Sequence, residues 1–192
     1  MSVLVYIQTQ DGKATKAGLE VASFAKNMNV GDVTALVPGT LSGDGGLGSV
    51  GVSKVLHFSE GVTDNAQLSK LTQAAAQSAD ASTIVFSGNN DGNSIAPRVA
   101  IAMNVGYVSG VTRLPEGKTF TRSVFSGKAT AAVNVMSDVC VISITPNSYG
   151  IKSDTGEASV ETFSAVFLFS IYVVVVSNEC IGASLFLFLL VG

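Results

Sequence analysis

The sequence predicts an α/β fold, in which helices cover both faces of a mainly parallel sheet and antiparallel strands extend it. Two observations lead to this prediction. Short apolar runs alternate with amphipathic helical segments as far as residue 111, and this alternation is typical of parallel βα units. Beyond residue 119, three strand-like segments follow one another with no helix between them, which indicates antiparallel pairing.

The parallel part contains five predicted strands and three predicted helices. Strands are expected at 3–8, 33–37, 54–58, 82–86 and 106–111, and helices at 13–28, 65–77 and 94–103. In the first helix, apolar residues recur at helical spacing, and Lys16, Glu20 and Lys26 lie largely between them. Thr63 or Asp64 is the predicted N-cap of the second helix. Pro97 is expected in the first turn of the third.

The antiparallel extension is predicted from three apolar segments joined by short connections. They occupy 120–125, 129–135 and 139–144. The joining residues are too few to form a helix, so all three strands are assigned to the extension.

Composition excludes several classes of protein. The chain has 192 residues, a formal charge of −3 and only 13% charged residues, with no basic cluster, which argues against nucleic-acid binding. Cys140 and Cys180 are too few for a disulfide framework. His57 is the only histidine, so a multi-histidine metal site is excluded. The amino terminus has no signal or transit character, and we expect a cytoplasmic protein.

The composition changes near residue 162, and we divide the chain into a domain at 1–162 and a tail at 163–192. The tail is almost entirely apolar, with Glu179 as its one charged residue. Its two apolar blocks are each shorter than the roughly 20 residues of a membrane-spanning helix. Three interpretations stay open: buried strand material, a membrane segment, or a tail made by a frameshift. The third is favoured because the tail abandons the charge pattern of the preceding chain.

Two glycine-rich loops are candidate anion sites. Gly43, Gly45 and Gly48 fit the G-x-G-x-x-G spacing, but no full helix follows them, and a mobile glycine loop is the favoured interpretation. The loop at 88–93 is the better candidate, because it joins the carboxyl end of a strand to a helix. The weak candidates for cofactor binding in and after this loop are Gly88, Asn89, Gly92 and Arg98. The favoured interpretation is a polar turn with Asn93 or Ser94 as the N-cap and with Arg98 as a surface or interface ion-pair residue.

No catalytic constellation is visible. His57 is expected on a strand face and Cys140 in a buried strand as an inert thiol. No nucleophile elbow, Walker A sequence or zinc-protease motif occurs. We therefore assign no catalytic or metal-binding residue, and nothing indicates a self-contained enzyme.

Several segments together resemble one family, the N-terminal domain of the electron transfer flavoprotein alpha subunit. Their order and spacing carry the resemblance more than any single motif. The segments are 1–6, 19–22, 47–55, 87–100, 109–112 and 122–129. The resemblance covers about residues 1–150.

The resemblance implies a three-layer α/β domain, related to adenine nucleotide alpha hydrolase-like domains. It implies a beta subunit as partner and one FAD, held chiefly by a second alpha-subunit domain that no segment here matches. The family complex carries electrons from dehydrogenases, such as the acyl-CoA dehydrogenases of fatty acid β-oxidation, to a quinone oxidoreductase. We therefore expect a truncated or frame-shifted alpha subunit that lacks most of the flavin site and holds little or no FAD alone. The alternatives are a stand-alone nucleotide-binding module and a membrane-tethered interaction domain.

Overall fold

The structure, a computed structural model, describes residues 2–62 and 64–164. Its elements in this region follow in chain order. The strands are β1 (Ser2–Tyr6), β2 (Thr9–Gln10), β3 (Lys13–Ala14), β4 (Asp32–Pro38), β5 (Lys54–Phe58), β6 (Ala81–Ser87), β7 (Gly106–Val111), β8 (Thr119–Val124), β9 (Ala129–Asn134), β10 (Cys140–Ile144) and β11 (Ser159–Thr162). The helices are α1 (Lys16–Asn27), α2 (Asn65–Ser78) and α3 (Asn90–Met103).

Nine of these strands form one sheet, in the order β11-β5-β4-β1-β6-β10-β7-β8-β9. Pairing is parallel from β11 to β7 and antiparallel from β7 to β9. One buried cluster joins α1 to one face of the sheet, and a second joins α2 and α3 to the other. The predicted three-layer fold, with a mainly parallel sheet and an antiparallel extension, is confirmed.

Helix α1 shows how the apolar pattern fixes one layer. The Thr15 hydroxyl accepts a hydrogen bond from the Gly18 N–H and caps the helix. Val21, Phe24 and Ala25 are fully buried against the sheet, as their spacing predicts. Lys13, placed in this helix from the sequence, lies instead in the short strand β3.

The assignment of residues 139–144 to the antiparallel extension is wrong. These residues form β10, which is parallel to both neighbours and lies between β6 and β7. All five residues of β10 are buried, as expected for an inner strand of a parallel sheet covered on both faces. The extension is therefore the hairpin β8–β9 alone.

The predicted start of the third helix is also wrong. Helix α3 begins at Asn90, and its N-cap is Asn89, whose side-chain oxygen accepts the Gly92 N–H at 2.9 Å. Neither Asn93 nor Ser94 is the cap. Pro97 consequently lies well inside the helix, where it removes one backbone donor. The glycine and asparagine content of this first turn concealed its helical conformation.

A segment that we call the strap, residues 145–158, carries the chain from β10 across α1 to the opposite edge of the sheet. The Glu20 carboxylate is buried and accepts backbone N–H bonds from Asn147 at 2.7 Å and from Tyr149 and Gly150 at 2.9 Å each. Glu20 was assigned to the polar face of α1, so its burial corrects that expectation. The carboxylate fastens the strap to the helix.

The strap ends in β11, which pairs with β5 and was not predicted. Its four residues are all exposed, so their sequence carries no periodic signal. The Phe163 N–H then donates to the His57 carbonyl at 2.7 Å, and the Phe163 side chain packs against the second core cluster. The tail beyond residue 164 lies outside the described residues, as does Thr63. Among the residues that are described, no helix is long and apolar enough to cross a bilayer.

Candidate functional site

The candidate site is a cleft of about 340 Å³ at the carboxyl edge of the parallel sheet. This edge is where open α/β sheets bind ligands. Residues following β1, β4 and β5 line the cleft together with the first turns of α2 and α3. The residues that define it are Tyr6, Gln8, Gly39, Val62, Asn65 and Asp91.

Polar side chains tie the floor of this cleft to α3. The Gln8 side-chain oxygen accepts a bond from the Asn89 amide at 2.5 Å, and the Gln8 amide donates to the Asp91 carboxylate. Asp91 lies in the first turn of α3, where the helix dipole stabilises a negative charge. The carboxylate therefore occupies the place at which a bound phosphate would be stabilised.

Gly88 and Gly92 allow close packing at the start of α3. A Cβ at Gly88 would lie 2.7 Å from the Ile144 carbonyl oxygen, and one at Gly92 would overlap the Ser87 carbonyl oxygen. The Gly88 N–H already donates to Ile144, at 2.8 Å. Two of the weak cofactor candidates thus have a structural role in joining strand to helix.

Arg98 lies apart from the other three candidates. It is exposed on α3, eight residues beyond Asn90 and therefore about 12 Å further along the helix axis. The cleft residues named above include no lysine or arginine. The structure brings Gly88, Asn89 and Gly92 together, whereas Arg98 lies apart from them along α3. Their role in cofactor binding stays a prediction.

The glycines at 43, 45 and 48 belong to a hydrogen-bonded turn. The Asp44 carboxylate accepts the N–H groups of Gly46 and Gly48, both at 2.9 Å. These are the backbone donors that a phosphate loop would offer. Gly48 also lets the strap pass, because a Cβ there would lie 2.6 Å from the Gly156 oxygen.

The side chains of His57 and Cys140 make contacts within the fold. A ring nitrogen of His57 lies 2.7 Å from the Gly39 carbonyl oxygen. Cys140 is buried in β10, and its thiol contacts the Thr83 hydroxyl at 3.7 Å. Burial raises the pKa of this thiol above its usual value, which keeps it protonated and unreactive. Both residues lie in strands, as expected.

Tyr6 forms one wall of the cleft and was not singled out from the sequence. Burial, and secondarily the charge of Asp91, raises the pKa of its phenol well above the ordinary value of 10.0. Its ring packs on Phe86 with a centroid separation of 5.3 Å. The phenol therefore stays neutral in the folded protein.

This shift predicts an alkaline loss of stability that depends on Tyr6. The unfolded phenol ionises at about pH 10 while the folded one does not, so its contribution is complete below that pH and declines as the pH rises further. Tyr6→Phe is expected to lose less stability than the wild type between about pH 9 and 11. Urea unfolding at about pH 9 and at about pH 11 measures the stability lost by each protein, with Tyr107→Phe as the control. Equal losses in the wild type and Tyr6→Phe would contradict the assignment.

Sequence reasoning missed Gln8, Asp91 and Glu20. Gln8 follows a strand and meets residues more than eighty positions away, a proximity that only the topology creates. The acidic side chain of Asp91 could have indicated the start of a helix, since an acidic residue in a first helical turn is favourable. That turn was interpreted as a loop.

The fold and the cleft define an open α/β domain in which Asp91 is the one charged side chain among the described residues that line the cleft. The electron transfer flavoprotein domain family matches residues 3–168. The match runs past the boundary predicted at residue 162. The chain belongs to this family, and the predicted resemblance is confirmed.

Two curated relatives are similar to this chain, and both are alpha subunits. The mitochondrial electron transfer flavoprotein subunit alpha of Dictyostelium discoideum is 26% identical over 173 residues, covering 84% of this chain and 48% of the relative. The electron transfer flavoprotein subunit alpha of Pseudomonas aeruginosa is 27% identical over 174 residues, covering 85% of this chain and 54% of the relative. The chain therefore spans about half the length of the curated relatives it matches.

Proposed function

We propose that residues 1–162 form the N-terminal domain of an electron transfer flavoprotein alpha subunit and act as a scaffold that pairs with a beta subunit. The observation that carries this proposal is the family match over residues 3–168. The similarity to two proteins named as alpha subunits supports the choice of subunit. The complete complex would carry electrons from dehydrogenases, such as acyl-CoA dehydrogenases, to a quinone oxidoreductase.

The described residues do not fit FAD, the cofactor that the family implies. A flavin dinucleotide needs backbone donors or cations for its diphosphate. In this domain the Asn89 side-chain oxygen accepts the hydrogen bond of the Gly92 N–H group. The Asp44 carboxylate accepts the hydrogen bonds of the Gly46 and Gly48 N–H groups. Asp91 also places a negative charge in the first turn of α3, which opposes a second anion there. We therefore assign to this domain subunit pairing and not flavin chemistry.

The same contacts disfavour the alternative of a stand-alone nucleotide-binding module. AMP and ATP also need phosphate donors, and Arg98 is too far along α3 to supply a charge at the loop. The membrane-tethered alternative depends on the tail, which lies outside the described residues. Neither alternative has a supporting contact among the described residues.

Purification of the chain alone and with a beta subunit tests the proposal. The chain alone is expected to lack the visible flavin absorption after incubation with FAD, because its diphosphate donors are occupied. Co-expression with the electron transfer flavoprotein beta subunit of the same source is expected to give a complex in size-exclusion chromatography. Stoichiometric FAD on the isolated chain would overturn the scaffold role, and absence of a complex would overturn the pairing.

A further inference from the structure

The carboxylate of Asp91 gives the cleft at the carboxyl edge an unbalanced negative charge. The other described residues that line the cleft are uncharged. The amino end of α3 offsets roughly half of this charge. A carboxylate can accept about four hydrogen bonds, and the Gln8 amide is the one described group that donates to Asp91. Most of the acceptor capacity of Asp91 therefore stays open to a bound molecule.

The hydroxyl of Tyr6 is a second unused polar group in the cleft. Tyr6 is 5% exposed, and no described residue forms a hydrogen bond with its hydroxyl. Among the described residues, Arg122 Nε is the one fully enclosed polar side-chain atom without a partner. The unpaired Tyr6 hydroxyl therefore opens to the cleft that Tyr6 lines. Buried hydroxyl groups are nearly always hydrogen-bonded, and a bound molecule would supply the missing partner.

The carboxylate and the phenol act on the same part of the cleft. The charge of Asp91 contributes to the raised pKa of Tyr6, so the two groups lie within electrostatic reach of each other. The phenol stays neutral and offers its oxygen as an acceptor without adding a second charge. A protonated primary amine carries one positive charge and three N–H donors, which complement these two oxygen acceptors.

The remaining lining of the cleft suits an organic molecule better than a metal ion. Pro38, Val62 and Leu68 form apolar parts of the wall, and the volume is about 340 Å³, which lies in the range of small-molecule pockets. Calcium would take about six to eight oxygen ligands. Within the described part of the chain, no three histidine, cysteine or acidic side chains come together to hold a metal.

We propose that the cleft binds a small primary ammonium ion with an apolar body. Its N–H groups donate to the Asp91 carboxylate and to the Tyr6 hydroxyl, and its apolar body packs against Val62 and Leu68. A bound anion would instead be repelled by Asp91. This ligand site goes beyond the proposed function and does not depend on it, because every residue that forms the site belongs to this chain.

An NMR titration of the full chain with benzylammonium chloride tests the site. This probe is protonated at neutral pH and has an apolar ring, and benzyl alcohol and benzoate are neutral and anionic molecules of similar size. At constant ionic strength, benzylammonium is expected to bind with a Kd on the order of 1 mM and to shift the amide signals of Gln8, Gly39 and Asn65. Benzyl alcohol is expected to bind about tenfold more weakly, and benzoate is expected not to bind.

Three substitutions identify the contacts that hold the probe. Asp91→Asn removes the charge but keeps an oxygen for the Gln8 amide, and it is expected to raise the Kd about tenfold. Tyr6→Phe keeps the ring but removes the hydroxyl, and it is expected to raise the Kd about threefold. Asp80→Asn is the matched control, because Asp80 is an exposed carboxylate at the opposite edge of the sheet, just before β6. Its Kd is expected to equal that of the wild type.

The possible outcomes either support this site or overturn it. Benzyl alcohol binding as tightly as benzylammonium, or equal effects of Asp91→Asn and Asp80→Asn, would overturn the recognition of charge in the cleft. If none of the three compounds gives a saturable shift, water alone occupies the cleft and the proposal fails. Displacement of the probe by an equal concentration of calcium chloride would assign a metal site instead. None of these results bears on subunit pairing, which size-exclusion chromatography measures separately.

Discussion

Replacing Gly92 by alanine is expected to lower the free energy of unfolding by about 3 kcal/mol, as overpacking does at a site that cannot relax. On an exposed helix the same change stabilises by about 1 kcal/mol. The sign reverses here because the new Cβ would overlap the Ser87 carbonyl oxygen. That oxygen belongs to the last residue of β6 and cannot move without disturbing the sheet.

Urea unfolding at neutral pH measures the effect of Gly92→Ala. Gly61→Ala is the matched control, because a Cβ at Gly61 would meet no atom within 4 Å, and we expect its stability to be unchanged. A Gly92→Ala protein as stable as the wild type would show that α3 does not approach β6 as closely as described.

Removing the Glu20 carboxylate is the second change with a large expected effect. Glu20→Ala leaves three backbone N–H groups of the strap without their acceptor. We expect a loss of about 3 kcal/mol, since unsatisfied buried donors cost about 1–3 kcal/mol each and water can reach part of the released strap. Glu20→Gln should lose less, because one side-chain oxygen can still accept the N–H groups of Tyr149 and Gly150.

Amide hydrogen exchange localises the consequence of Glu20→Ala. Exchange at Asn147, Tyr149 and Gly150 is expected to accelerate more than exchange in β1. Glu60→Ala is the control, because Glu60 is exposed and makes no ion pair with a described residue. Uniform acceleration throughout the domain would falsify a local fastening role for the carboxylate.

The layers of the fold could be predicted because they depend on local periodicity. Helix α1 and strand β5 were recovered from apolar spacing alone, apart from the first residues of α1. Strand β10 was misassigned because its sequence neighbours are the hairpin strands, while its partners in space are β6 and β7. An apolar run indicates that a strand is buried, but it does not indicate which strands are its neighbours in the sheet.

The candidate site was less predictable because its contacts join distant residues. Its location at the carboxyl edge followed from general rules for parallel sheets. The chemistry of the site could not be predicted from those rules. Its acidic character depends on the position of Asp91 in the first turn of a helix and on the contact between Gln8 and Asp91. Glu20 was equally hidden, because only the strap turns a polar helix position into a buried one.

The central place of β10 has a consequence for synthesis on the ribosome. Strands β6 and β7 are made first, yet in the finished sheet β10, which ends at Ile144, lies between them. At about 5–20 residues per second, the nascent chain waits on the order of seconds between completing β7 and completing β10. During that interval the apolar edge of β6 is open to incorrect pairing. Mispairing of β6 is therefore expected to be most frequent in this interval of synthesis, before β10 is complete.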